Sequence, residues 1–394
     1  MRILHIISTF PPAYAFGGPP KVAFDVCKEL AKRGHYVEVY TTNAYDQRRN
    51  FKSLDKQIVV CNIKVTYFSN LLRINNLYVA PEMVAKLWKT LENFDIVHVH
   101  FGRQPYDTFF GLKEKALSAP YVLQAHGALP HIGRMGWAKL FYDKLFGWRT
   151  IKNASRVIAL SNVEAEQYKR VGVPEEKIAI IPNGIDLSEY AELPPKGSFK
   201  KKFNIPEDRK IILYLGRIHK TKGIDILIKA YAYLKNEMKC RNAVLVIAGP
   251  DDGYLGEART LVNSLGLYDS VMFTGFISNE DKLKALIDAE IFVTPSFYGF
   301  PITFLEACVV GTPIVTTNLG DTLEWINGKV GYVVQPKTEY LARAIYQIII
   351  DEKLHERLSR NSQNIVKTVF SIEKVVDKLE QLYNEVANRR DILV

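Results

Sequence analysis

Short apolar runs alternate with amphipathic stretches along all 394 residues of the chain. Runs of four or five apolar residues are typical of buried parallel strands, and apolar positions spaced three or four apart are typical of the helices that cover them. The alternation therefore predicts an α/β fold with parallel sheets and helices on both faces. The chain is long enough for two such domains.

The predicted strands fall into two sets of six. They are Ile3–Ile7, Tyr36–Tyr40, Ile96–Val99, Tyr121–Gln124, Val157–Leu160, Ile178–Ile181, and then Ile211–Leu215, Val244–Ala248, Val271–Thr274, Ile291–Thr294, Ile314–Thr316 and Gly331–Val334. The stretch between the sets is rich in Pro and Lys and lacks apolar periodicity, which predicts a linker. The predicted segments are a first domain 1–188, a linker 189–205, a second domain 206–370 and a final helical segment 371–394.

Composition and cysteine spacing narrow the class of protein. Hydrophobic residues make up 47% and charged residues 24% of the chain, which is typical of globular proteins. No apolar run is long enough to span a bilayer, and the start of the chain reads as a buried strand rather than a signal peptide. The four cysteines are isolated in sequence, so neither a zinc knuckle nor a redox motif is indicated. We expect a reduced, cytoplasmic location.

The net charge of +10 is unevenly distributed. Residues 1–190 hold 25 Lys and Arg against 17 Asp and Glu, whereas residues 191–394 hold 27 against 25. A basic first half is explained either by a solvated surface or by attraction to an anionic membrane or a phosphorylated acceptor. Nucleic acid is disfavoured because no nucleic-acid-binding module is recognisable.

The most informative segment is TPSFYGFPITFLEACVVGTP, residues 294–313. A strand is expected to end at Pro295, and a loop with Gly299 and Pro301 leads into a helix that begins near Ile302. A strand that passes through such a loop into a helix leaves free backbone N–H groups, which suit a phosphate or an anionic sugar nucleotide. The carboxylate of Glu306 can accept hydrogen bonds from sugar hydroxyls.

A second segment, LYLGRIHKTKGIDILIKAY, places two cations beside a predicted helix. Arg217 and Lys222 flank the loop after a strand, where they would bind a diphosphate and offset the charge of a leaving nucleoside diphosphate. A divalent metal performs this task in other enzymes. Since no Asp-x-Asp motif lies at a strand end, we expect no catalytic metal.

Glycines and histidines in the first half give further candidates. Gly17 and Gly18 follow the first strand in a Pro-rich loop, where paired glycines allow close backbone approach to a ligand, although a plain tight turn explains them too. His126 ends a strand and precedes a glycine. His98 and His100 share one strand face, so a metal pair is conceivable, but the sequence indicates no third ligand. We favour a structural role for His98 and leave His100 open.

Together these segments resemble the retaining family 4 glycosyltransferases. The match to the family signature covers Pro295, Ser296, Gly299, Phe300, Leu305, Glu306 and Ala307, and a Gly-Arg, short gap, Lys-Gly pattern is matched by Arg217, Lys222 and Gly223. The chain departs from the family at Tyr298, where a first Glu is usual. The resemblance implies the GT-B fold, which is two Rossmann-like doubly wound domains facing each other across a cleft, with a final helix that crosses back to the first domain.

The resemblance also implies roles for individual residues. Those implied to take part in catalysis are Arg217, Lys222 and His126. Those implied to bind the donor are Gly17, Gly18, Gly275, Phe276, Ile277, Tyr298, Gly299, Phe300, Pro301, Ile302 and Glu306. In the family the glycines approach the donor diphosphate, the histidine makes a polar contact with the donor sugar, the first Glu binds sugar hydroxyls and the second holds the ribose. No cofactor is implied, since the nucleoside diphosphate sugar is a substrate.

The expected function is retaining, metal-independent transfer of a sugar to a hydroxyl of a glycan, a lipid-linked acceptor or a small molecule. Two alternatives remain open: a non-catalytic nucleotide-sugar sensor on the same fold, and a sugar-nucleotide epimerase. The epimerase would require acid and base side chains at the Gly17-Gly18 loop. Product analysis distinguishes the three, as transfer, no turnover or interconversion.

One further stretch, GRMGWAKLFYDKLFGWRTIKNA, is predicted to be helical. Its apolar stripe and the basic residues around it are Trp137, Phe141, Leu145 and Trp148, with Lys139, Lys144, Arg149 and Lys152. We favour a helix packed on its own sheet, because most such stripes belong to a core. The alternative is a peripheral contact with the inner face of an anionic cell membrane.

Overall fold

The computed structural model describes residues 1–13, 18–46, 49–51, 56–74, 77–112, 119–130, 136–321 and 323–391. Backbone contacts divide the chain into two compact units. Unit 1 comprises residues 1–184 and the chain from Ile372 onward, whereas unit 2 comprises Ile185–Ser371. The domain and linker limits expected from the sequence stay predictions.

Sixteen strands are formed within these described ranges. They are β1 (Arg2–Ile6), β2 (Tyr36–Thr42), β3 (Gln57–Val60), β4 (Ile63–Phe68), β5 (Leu72–Ile74), β6 (Leu77–Val79), β7 (Ile96–His100), β8 (Tyr121–Gln124), β9 (Arg156–Ala159), β10 (Ile178–Ile180), β11 (Lys210–Leu215), β12 (Ala243–Ala248), β13 (Val271–Gly275), β14 (Ala289–Phe297), β15 (Ile314–Gly320) and β16 (Gly331–Val334).

Helices connect most of these strands. They are α1 (Gly18–Lys32), α2 (Pro81–Thr90), α3 (Thr108–Leu112), α4 (Gly136–Tyr142), α5 (Trp148–Asn153), α6 (Asn162–Arg170), α7 (Ser198–Lys202), α8 (Ile224–Asn236), α9 (Leu255–Ser264), α10 (Asn279–Asp288), α11 (Ile302–Val310), α12 (Thr338–Ile350), α13 (Glu352–Ile365) and α14 (Ile372–Asp391). Among the described helices, none combines the length and the apolar character needed to cross a membrane.

The sheet of unit 1 has the order β10-β9-β8-β7-β1-β2-β4-β3, and β5 and β6 form a separate hairpin. Its strands are parallel except for the edge strand β3, which is antiparallel to β4. Strand β1 lies inside the sheet, and Ile3, Leu4 and Ile6 are fully buried. Two apolar cores cover successive residues of this strand, which explains why these strands read as continuous apolar runs.

Helix α14 completes the core of unit 1. Val376 and Tyr383 are buried in the same apolar core as β1. Arg33, just beyond α1, makes ion pairs with Asp377 and Glu380 at 2.8 and 2.5 Å. The hydroxyl of Tyr383 hydrogen-bonds Nδ1 of His98 at 2.6 Å. The end of the chain is therefore joined to its beginning by apolar packing, ion pairs and a buried hydrogen bond.

Unit 2 is built on six parallel strands in the order β13-β12-β11-β14-β15-β16. Helices α8 and α12 pack together and contribute to the main apolar core of this unit. Because the strands are parallel, their carboxyl ends lie at one edge of the sheet, where ligands bind in open α/β folds. The loops after β11, β14 and β15 are neighbours at this edge.

The segment expected to be a linker is partly ordered into secondary structure. It contains α7, and the carboxylate of Asp288 accepts hydrogen bonds from the backbone N–H groups of Gly197, Phe199 and Lys200 at 2.5, 2.8 and 3.0 Å. Three donors at the beginning of a helix are thereby satisfied by one carboxylate. These hydrogen bonds hold the beginning of α7 against the end of α10.

All twelve predicted strands are present, with two clear differences. Strand β14 was expected to end at Pro295, yet it continues to Phe297. The register with β15 shifts between Thr294 and Ser296, so the pairing passes around the proline that has no N–H to donate. Strands β3 to β6 were missed. Strands β3, β5 and β6 have only three or four residues, whereas the alternation of apolar and polar residues in β4, IKVTYF, was a usable signal.

The preferred interpretation of the aromatic stripe is wrong. Trp137, Phe141 and Leu145 are 75%, 63% and 47% exposed. None of the residues of α4 is buried, so its apolar stripe faces away from the core of unit 1. A wider helical turn, Asp143–Gly147, separates α4 from α5. The buried side instead contains Asp143, whose carboxylate pairs with the guanidinium of Arg103 at 2.7 Å.

We expect Tyr383→Phe to lower the free energy of unfolding of unit 1 by about 1–3 kcal/mol, because Nδ1 of His98 would remain buried without a partner. Urea unfolding followed by circular dichroism measures the change. Tyr45→Phe is the control, since Tyr45 is 39% exposed. Equal transition midpoints for the two variants would contradict the prediction.

Candidate functional site

The loop after β11 lies against the end of β14, at the edge where the parallel strands of unit 2 end. The turn Lys220–Lys222, in the loop after β11, contacts β14. Gly223 has φ of 69°, and a Cβ at this position would lie 2.9 Å from the Cβ of Pro295. A side chain at position 223 would thus be both strained and too close. The contact brings the loop that carries Arg217 and Lys222 beside the end of β14.

Arg217 is available to an anion. Its Nη1 donates to a carboxylate oxygen of Asp252 at 2.5 Å, and the two side chains are 58% and 40% exposed. An exposed pair of this kind contributes only about 0–1 kcal/mol, so the guanidinium can exchange Asp252 for a bidentate anion at little cost.

Lys222 is partly buried, and no described residue accepts a hydrogen bond from its ammonium group. Burial, and then the nearby charge of Arg217, lower the pKa of Lys222. Both effects disfavour a cation that has lost water without gaining a counter-ion. Since α8 begins directly after this turn, its N-terminal N–H groups add to the positive potential. The loop therefore has the charge and the geometry to bind an anion.

Glu306 lies in α11 and is 7% exposed. Its Oε1 accepts from Nζ of Lys282 at 2.6 Å and lies 3.5 Å from the hydroxyl of Tyr190. Oε2 is buried and has no hydrogen-bond partner among the described residues. Lys282 therefore compensates the buried charge while one carboxylate oxygen stays available for a hydroxyl donor.

The loop after β13 precedes the helix that carries Lys282. Gly275 ends the strand, Phe276 is 79% exposed, and Ile277 is partly buried. Ser278 then caps α10 by accepting from the N–H of Asp281 at 3.1 Å. The exposed ring of Phe276 offers a flat apolar surface for an aromatic base.

Tyr298 is 41% exposed and lies directly after β14. A cavity of about 380 Å³ is lined by Tyr298, Ser296 and Leu319 and by the turn at Lys220 and Thr221. The Tyr298 side chain and the cationic loop thus face a common space. A phenol at this position supplies one neutral hydroxyl where a Glu would supply a carboxylate.

The remaining predicted residues of this segment shape the loop. The N–H of Gly299 donates to Oδ2 of Asp321 at 2.5 Å. The buried ring of Phe300 lies 5.9 Å from that of Trp325. Pro301 precedes the first turn of α11, which begins at Ile302. Packing and one charge-assisted hydrogen bond therefore fix the loop between Tyr298 and Glu306.

In unit 1, His126 follows β8 in a left-handed conformation with φ of 51°. Its Nε2 lies 2.7 Å from Nδ1 of His100, whose Nε2 lies 3.1 Å from Nδ1 of His5. Burial lowers the pKa of His126 to about 4 and that of His5 to about 3. These imidazoles are therefore neutral near pH 7 and form a hydrogen-bonded chain. Gly18 begins α1, whereas Gly17 lies outside the described residues.

The sequence indicated no third ligand beside His98 and His100, but the structure brings His5 to them, with ring nitrogens within 4.8 Å of one another. These neutral imidazoles could hold a metal ion. However, the His98 and His100 rings are nearly parallel, at 10° and with 4.3 Å between centroids, so their in-plane lone pairs do not converge. Hydrogen bonding along the chain fits this geometry better than coordination of one ion.

Sequence reasoning missed three residues of these sites: His5, Lys282 and Asp321. Strand β1 aligns His5 with His98 across the sheet, and α10 brings Lys282 to Glu306. No short motif contains either pair. The predicted strand Ile3–Ile7 includes His5 but indicates no partner for it.

Two family models match most of the chain. The Glycosyltransferase Family 4 model matches residues 16–189, and the Glycosyl transferases group 1 model matches residues 195–365. The first match lies in unit 1 apart from its last residues, and the second lies in unit 2.

Individual proteins give the same assignment. An uncharacterised glycosyltransferase of Methanocaldococcus jannaschii is 28% identical, over 97% of this chain and 98% of its own. The N-acetyl-α-D-glucosaminyl L-malate synthase of Bacillus anthracis is 26% identical over 98% of both. The crystal structure of Anabaena HepE in complex with UDP and glucose superposes with a TM-score of 0.73 at 20% identity, covering 98% of this chain and 100% of that one.

The two Rossmann-like units have the architecture of GT-B enzymes, and both halves of the chain match glycosyltransferase models. The chain therefore belongs to the family 4, group 1 glycosyltransferases.

Proposed function

We propose that this enzyme transfers a sugar from a nucleoside diphosphate sugar to an acceptor hydroxyl, with retention at the anomeric carbon and without a metal ion. The cationic loop of Arg217 and Lys222 carries the proposal. One of these cations has an exposed counter-ion and the other has none among the described residues, so together they suit a diphosphate. The UDP and glucose in the HepE complex support this ligand class.

The other site residues take complementary roles in this proposal. Oε2 of Glu306 accepts a hydrogen bond from a ribose hydroxyl, while Lys282 holds the other carboxylate oxygen. Phe276 provides an apolar face for the base. Tyr298 contacts the sugar end of the donor, and His126 supplies a polar contact to that sugar. None of these side chains is required to act as a nucleophile.

The proposed chemistry takes place on one face of the sugar. The bond between the anomeric carbon and the diphosphate oxygen breaks, and negative charge grows on the leaving group. Arg217 and Lys222 stabilise this charge. The acceptor hydroxyl forms its new bond to the anomeric carbon on the same face, and its proton passes to the departing diphosphate oxygen. Departure and attack on one face retain the configuration.

We expect Arg217→Ala and Lys222→Ala each to lower kcat by about two orders of magnitude or more, because each cation binds charge that grows in the transition state. Steady-state assays of nucleoside diphosphate release measure this effect. Lys229→Ala is the matched control, since Lys229 is an exposed lysine on α8. Wild-type turnover by the Arg217→Ala, Lys222→Ala double variant would rule out the clamp.

We expect activity to survive exhaustive dialysis against EDTA, because the cationic loop performs the electrostatic task of a metal ion. The assay compares dialysed enzyme with and without added Mg²⁺ or Mn²⁺. Activity that is lost on dialysis and restored by either ion would show that the enzyme depends on a metal.

We also propose that unit 1 contacts an anionic membrane surface through α4 and the turn that follows it. The exposed apolar side chains there are Trp137, Leu140, Phe141 and Leu145, and Lys144 and Arg149 are exposed beside them. Aromatic residues with basic neighbours suit the lipid headgroup region. Such a contact would bring the enzyme to a lipid-linked acceptor.

We expect cosedimentation with phosphatidylglycerol vesicles at low salt and its loss as the salt concentration rises to about 0.5 M, because screening shortens the range of attraction. Trp137→Ala with Phe141→Ala should weaken binding strongly. Tyr268→Ala removes an aromatic side chain that is 77% exposed in unit 2 and serves as the control. A wild-type protein that stays in the supernatant at low salt would contradict the proposed membrane contact.

A further inference from the structure

Asp321 is tied to the loop that carries Tyr298 from two directions. Its backbone N–H donates to the carbonyl of Phe297 at 3.0 Å, and its Oδ2 accepts from the N–H of Gly299 at 2.5 Å. The preceding Gly320 has φ of 101°, and a side chain there would collide with the Phe297 carbonyl. The ends of β14 and β15 therefore approach so closely that Asp321 lies beside Tyr298.

The Asp321 carboxylate is buried, and no cation among the described residues compensates its charge. It is 9% exposed, and burial raises its pKa, an effect that the Gly299 N–H opposes. By contrast, the buried carboxylate of Glu306 is paired with Lys282 at 2.6 Å. No described cation pairs with Asp321, and no described residue donates to its Oδ1. A carboxylate can accept about four hydrogen bonds, so Asp321 keeps acceptor capacity that the fold leaves unused.

We propose that Asp321 provides the carboxylate contact to the donor sugar that position 298 lacks. Oδ2 stays bound to the Gly299 N–H, and Oδ1 accepts a hydrogen bond from a sugar hydroxyl. The inference rests on the proposed function, since it requires a nucleoside diphosphate sugar in unit 2. It makes Asp321 a specificity-determining residue of this chain.

The chemistry of the two neighbouring side chains supports this division of roles. The Tyr298 hydroxyl is neutral, whereas an aspartate forms a charge-assisted hydrogen bond with a hydroxyl donor, and such bonds are about twice as strong as neutral ones. A buried carboxylate that lacks a cation gains most from added donors. A sugar hydroxyl is such a donor, while the free nucleoside diphosphate has no sugar at this position.

The test compares binding of UDP with binding of UDP-sugars by isothermal titration calorimetry. UDP-glucose, UDP-galactose and UDP-N-acetylglucosamine are screened, and the donor that the wild type binds most tightly is used. Asp321→Asn keeps an oxygen for the Gly299 N–H but replaces the second acceptor by a donor. We expect its affinity for the UDP-sugar to fall about 10- to 100-fold, with UDP affinity unchanged within twofold.

The comparison with UDP separates sugar contact from a structural role. If Asp321 only holds the loop in shape, both ligands weaken together or neither does, and the inference is overturned. Asp208→Asn serves as the matched control, because it neutralises an exposed carboxylate of the same unit. A wild-type protein that binds none of the UDP-, GDP- and ADP-sugars better than an unrelated nucleotide such as AMP overturns the proposed function, and the inference with it.

A second variant tests whether the two positions compensate for each other. In the Asp321→Asn background, Tyr298→Glu returns a carboxylate to this place, and we expect most of the UDP-sugar affinity to return. In the wild-type background the same change puts two carboxylates together, whose repulsion should weaken binding. Opposite effects in the two backgrounds support a shared sugar site. Additive effects place the residues in separate sites and overturn the inference.

Discussion

The hydrogen-bonded register of parallel strands is the constraint on which the site of unit 2 depends. Parallel pairing of β11, β14 and β15 forces their carboxyl ends to one edge, so residues distant in sequence meet there. The shift around Pro295 extends β14 toward that edge, and Gly223 lets the cationic loop press against it. The paired backbone thereby holds the turn at Lys220 and Thr221 and the side chain of Tyr298 around one cavity.

The buried and partly buried charged groups differ in whether they have a partner within the protein. Lys282 pairs with the buried carboxylate of Glu306. The histidine chain of unit 1 is neutral, so no charge is buried there. Lys222 and Asp321 are different, since each is partly or fully withdrawn from water and neither has a described counter-ion. An anion would compensate the first and a hydrogen-bond donor the second, and the proposed donor substrate would supply both.

The sequence was sufficient to predict those features that depend on residues close together in the chain. Apolar runs located all twelve predicted strands, and the Gly-Arg and Lys-Gly pattern located the cationic loop, because strand, loop and helix follow one another directly there. The interpretation of the aromatic stripe failed because apolar periodicity shows which residues share a helix face, but not whether another element covers that face. Asp321 and Lys282 were missed because their partners lie 22 and 24 positions away and are set by tertiary packing.

The position of α14 in the sequence affects the order in which the two units can fold during translation. Unit 2 is continuous in sequence, so all its strands leave the ribosome before the synthesis of α14 begins. Unit 1 is interrupted, and the side of its core that Val376 and Tyr383 cover stays open until α14 has been translated. The second unit can thus fold during synthesis, while the first exposes apolar surface until α14 has been made. A nascent chain truncated before Ile372 would be a natural client for chaperones.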